Sequence, residues 1–80
     1  MSDSQKAAKE LSEIAHEFNN ILNTLNGYSE LALEAKNASN DEEYEFFKEK
    51  LFTTLGRKLV TAKELTERLR KLQAQFAAMP

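Results

Sequence analysis

Cysteine is absent from this chain, so neither a disulfide nor a thiolate metal site holds it together. That fits a reducing compartment. Glycine occurs only twice and proline once, as the last of 80 residues. So few breakers mean few turns. No apolar run approaches the roughly 18 residues that span a bilayer. The opening MSDSQKAAKE has no apolar signal core. A basic surplus is missing as well: the net charge is −2, with 30% charged residues of both signs. A nucleic-acid footprint would want the opposite balance. There is no internal repeat and no low-complexity tract. The expectation is a cytoplasmic piece without membrane or nucleic-acid contact, any membrane anchor of a longer parent lying outside it.

What is present is a helical repeat. Apolar residues recur at Leu11, Phe18, Leu25 and Ala32, and again at Ile14, Ile21, Tyr28 and Ala35. Each series repeats every seven residues, offset by three, which makes an a/d seam. Ala15 and Leu22 widen the stripe on one side. A first helix is predicted from about Ser4 to Lys36, its opening ten residues fraying. Asn37-Ala38-Ser39-Asn40-Asp41 is the one interior cluster of turn-formers. Asn40 or Asp41 is a good N-cap, and Asn40 with Glu43 has capping-box spacing. Glu42, Glu43 and Glu45 suit a helix N-terminus.

The second helix is predicted from about Asp41 to Ala77. Its seams are Leu55, Ala62, Leu69, Phe76 and Leu51, Lys58, Leu65, Leu72, Met79, with Phe47, Phe52 and Leu59 adding width. Lys58 interrupts the second seam and is expected to snorkel. Gly56 sits mid-helix, which costs roughly 1 kcal/mol relative to Ala. Either a close-packing point or a local bend would account for it.

Two long helices on a short loop make an antiparallel hairpin. One domain of 80 residues has a thin core, and each stripe is wider than one partner helix covers. The economical arrangement is two hairpins face to face, an all-α homodimeric four-helix bundle with twofold symmetry. The alternative is a fragment whose apolar face belongs against another domain.

His16 is the only histidine. With Leu11 at heptad position a, it falls at f, away from the seam. A histidine kept for packing would sit at a or d. At f it is either an idle surface residue or a group displayed to a partner. Its neighbours favour the second reading: Glu17 is adjacent, and Asn20 lies one turn on. A neutral imidazole is a nucleophile near neutral pH. A carboxylate on its second nitrogen orients the ring, fixes the tautomer and supports developing positive charge. Glu17 is the candidate. An amide such as Asn20 carries a donor and an acceptor and can hold a water in line with a phosphorylated imidazole. A metal site is weakly supported, because the second histidine of an i, i+4 zinc pair is missing. Ser/His/Asp catalysis needs a pocket and an oxyanion hole, which two helices do not offer. The Phe18, Ile21, Leu25, Tyr28 set reads as core. Lys63, Glu64, Glu67, Arg68, Arg70 and Lys71 read as a solvated face with i,i+3 and i,i+4 pairs, open to a partner.

The segment Ala15-His16-Glu17-Phe18-Asn19-Asn20-Ile21-Leu22 resembles the H-box of two-component sensor histidine kinases, in its AH(D/E)FNNLL variant. Gly27-Tyr28-Ser29-Glu30-Leu31-Ala32-Leu33 resembles the GYAELAL run that often follows. Ala62, Leu65, Thr66 and Leu69 are similar, less specifically, to the pattern on the family's second helix.

This resemblance implies a dimerisation and histidine phosphotransfer domain. His16 would be the phosphoacceptor, taking the γ-phosphoryl of ATP and passing it to an aspartate of a response-regulator receiver domain. Glu17 would match the acidic general base, and Asn20 the residue used in dephosphorylating the receiver. The family's better-known form bends its first helix at a proline after the histidine. None stands there in this chain, so a straighter helix is expected. The family's ATP-binding domain, with its ATP and Mg, needs well over a hundred further residues. The chain is therefore expected to hold no cofactor and not to autophosphorylate alone. It would depend on such a domain in cis or in trans, as an excised segment or a stand-alone phosphotransfer protein. The competing expectation is a non-catalytic helical dimerisation adaptor that keeps an H-box look.

Overall fold

The computed structural model describes residues 2–78 and contains two helices, α1 (Asp3–Asn37) and α2 (Asp41–Ala78), packed along their lengths as a hairpin. Both helices lie within one or two residues of their expected ends. The seam position Met79 lies outside the described residues. No described helix is long and apolar enough to cross a membrane.

Local chemistry explains the ends. Ser2 caps α1: its hydroxyl accepts from the Gln5 N–H at 3.2 Å, and the Gln5 carboxamide accepts from the Ser2 N–H at 3.0 Å. This is a full capping box. The expected fraying start is therefore a capped turn, and Ala7, 3% exposed, ties it into the core. At the other end of α1 the Asn40 N–H reaches the Ala35 carbonyl at 2.9 Å, and the Ser39 N–H reaches Lys36 at 3.1 Å. This is a Schellman pattern, which asks for a left-handed residue at its turn. Ser39 supplies it with φ 55°. Asn40 then caps α2, its side-chain oxygen accepting from the Glu43 N–H at 3.1 Å. Asp41, Glu42 and Glu43 fill the first turn, where negative charge suits the helix dipole.

The core is a single layer. Ala7, Ile14 and Ile21, all at position d of α1, cluster with Leu65 and Leu72 of α2, flanked by Phe18, Leu25, Ala62 and Leu69. Among the described residues only Ile14, Leu65 and Leu72 are large and fully buried, each contributing roughly 1.5–3 kcal/mol. Toward the loop the buried residues shrink to Ala32, Ala35 and Thr54. Lys58 is half-buried, as a snorkelling stem would be. The hairpin measures 59 × 17 × 16 Å with a radius of gyration of 17.8 Å. A compact chain of this length would have about 12 Å. The molecule is a rod two helices thick.

That shape leaves apolar surface uncovered. Leu11, Leu22, Phe52, Leu59 and Phe76 are 42–63% exposed. These five fall at heptad positions a or e, on one long side of the hairpin, while Leu31, Leu33, Phe46 and Val60, 40–59% exposed, lie off that side. The opposite side, at positions g and c, is mostly polar. Gly56 lies on the exposed surface, and a Cβ built there would meet nothing within 4 Å. The close-packing explanation therefore fails, and α2 continues through this residue. Gly56→Ala is accordingly expected to stabilise the fold by about 1 kcal/mol, read as a higher urea midpoint at unchanged slope.

Candidate functional site

The site is built on the middle of α1, where a continuous helix fixes the direction of each side chain. His16, at f, is exposed and makes no hydrogen bond among the described residues. Asn20 is also exposed. Its backbone carbonyl accepts from the Thr24 hydroxyl at 2.8 Å, while its carboxamide stays unengaged among the described residues. The imidazole and the amide thus stand one turn apart on an open helix face, accessible to a docking molecule. Neither lies in a pocket that would exclude water.

Glu17 behaves differently. It sits at g, and one carboxylate oxygen lies 3.9 Å from Nη1 of Arg68 on α2. It makes no hydrogen bond to His16. The same guanidinium meets Glu10 at 3.5 Å through Nε and Glu13 at 3.8 Å through Nη2. Three α1 carboxylates therefore converge on one α2 cation, at side-chain exposures of 39–54%. The structure brings His16 and Asn20 onto one open face and turns Glu17 toward the neighbouring helix.

Arg68 escaped the sequence reading, which placed it on a solvated face. Part of that face is as expected: Glu67 and Arg70 pair at 2.6 Å, three residues apart. Those hydrogen bonds hold the Glu67 carboxyl below its ordinary range and push Arg70 up. Arg68, one residue before the seam residue Leu69, lies at g and crosses to α1. A signal existed in the spacing: Glu10 and Glu17 are seven apart and also at g, the flanking positions where interhelical ion pairs form. No group of three or more His, Cys, Asp or Glu is placed to hold a metal ion among the described residues. No known protein family, curated protein or solved structure matches this chain.

Proposed function

We propose that this chain is the phosphoacceptor and dimerisation domain of a two-component histidine kinase. The observation that carries the reading is His16. The sole histidine is displayed at an outward position of a continuous helix, within an H-box-like segment, with the Asn20 carboxamide open one turn away. One ring nitrogen of His16 attacks phosphorus while the second sheds its proton, with Glu17 as its acceptor. The bond from phosphorus to the donor's leaving group breaks, and an N–P bond forms. Transfer to a receiver aspartate reverses this: the N–P bond breaks, an acyl phosphate forms, and the ring regains a proton. The γ-phosphoryl of ATP would come from an ATP-binding domain acting in cis or in trans.

The exposed a/e side supports the second half of the reading. Leu22, Phe52 and Leu59, each more than half exposed, form a seam that a second copy would cover, giving a four-helix bundle with position d inside each hairpin and position a between them. His16, at f, stays outside such a bundle. The same seam would serve an adaptor that dimerises without phosphorylation, so chemistry has to separate the two.

Phosphoramidate donates a phosphoryl group to histidine without a kinase. Incubation should add one acid-labile phosphoryl group to the intact mass, and light scattering should give twice the chain mass. Folded protein with no adduct would favour the adaptor. A monomer would remove the bundle. Asn20→Ala should accept the phosphoryl group as the wild type does and slow hydrolysis of a phosphorylated receiver. Equal loss of both steps would contradict its role in positioning water.

A further inference from the structure

We infer that Arg68 is a positioning residue that holds Glu17 away from His16, so that the base is divided between two partners. This rests on the reading of His16 as phosphoacceptor and Glu17 as its assistant. Successive side chains on a helix diverge by about 100°, and Glu17 must bend back toward f to meet the imidazole. Its carboxylate instead leans across the groove to α2, 3.9 Å from Arg68. The two placements exclude one another.

The hold is loose, because the guanidinium is shared. Glu10 is nearest at 3.5 Å and Glu13 next at 3.8 Å, and Lys6 and Lys9 line the same groove at its far end. Glu17 is the most distant of the three carboxylates and the one beside the histidine. Half-exposed pairs of this kind are weak, so the carboxylate moves between partners at little cost. A small shift of α2 along α1 changes that division. The arrangement links the relative position of the helices to the reactivity of His16.

Two variants have opposite expected signs, which a merely structural ion pair would not give. Arg68→Gln frees Glu17 and should speed phosphoramidate uptake by up to about fivefold, the range of an exposed pair. Glu10→Gln with Glu13→Gln leaves Arg68 to Glu17 alone and should slow uptake by a similar factor. Adding Glu17→Gln to Arg68→Gln should erase the acceleration. Uptake that is unchanged or slower in Arg68→Gln overturns the inference. The nitrogen resonances of the His16 ring give a readout that needs no phosphorylation. They should move in Arg68→Gln and return in the double variant with Glu17→Gln. Unmoved resonances overturn the inference even where the wild type takes up phosphoryl. A wild type that takes up none removes the phosphoacceptor reading itself, and the inference with it, whatever the resonances do.

Discussion

His16→Ala is expected to lose phosphoryl acceptance completely while keeping its helix content and its unfolding midpoint. Both halves follow from the same geometry. The reaction needs a nucleophilic nitrogen, and the chain has one imidazole. Lysines are protonated near neutral pH and offer no lone pair. The fold does not need that ring: His16 is exposed, lies off the seam and makes no hydrogen bond among the described residues. Alanine is the better helix former, so the stability change should stay within about 0.5 kcal/mol, as for most surface substitutions. Intact mass after phosphoramidate treatment and thermal melting by circular dichroism check the two halves. An adduct persisting in the variant would place the acceptor elsewhere. A melting point lowered by several degrees would make His16 a structural residue.

Leu65→Asp should do the reverse, abolishing the fold and everything that depends on it. Leu65 is 2% exposed in the cluster with Ile14, Ile21 and Leu72. Losing its side chain alone would cost about 2–5 kcal/mol. An unpaired buried carboxylate adds several more, unless it takes up a proton or the helices part. Small domains have only about 5–15 kcal/mol in total, and this core is one layer thick. The expected spectrum is that of a largely unfolded chain with no cooperative melt. Leu22→Glu is the control, since Leu22 is 62% exposed on the a/e side. It should retain helix and weaken only association. A cooperative melt in Leu65→Asp would mean that position d is not the core.

The sequence carried the hairpin because its signals are local or periodic. The d series appears in the folded chain as Ile14, Ile21, Leu65 and Leu72, and the loop cluster became the turn between Asn37 and Asp41. The Ser2–Gln5 cap was missed because it lies in a polar stretch, before the apolar repeat begins. Thr54 was missed for a related reason: a count of apolar residues passes over a buried threonine at g. At the site, the outward display of His16 was legible from its heptad position, and that of Asn20 from its place one turn on. The Arg68 contacts were not, because an interhelical pair depends on the register between α1 and α2. That register is set by the left-handed Ser39 turn and the meshing of the d layer, not by either helix separately.

The uneven core has a kinetic consequence. A hairpin closing from its turn first buries Ala32 and Ala35, whose small side chains bury little apolar area. The large side chains Ile14, Leu65 and Leu72 meet only when much of the chain is already aligned. Entropy is thus spent early and hydrophobic gain arrives late. The rate-limiting ensemble should therefore be one in which α1 and α2 are already paired well beyond the turn. Changes at the chain-end half of the core, more than changes near the loop, would then set how fast the protein folds.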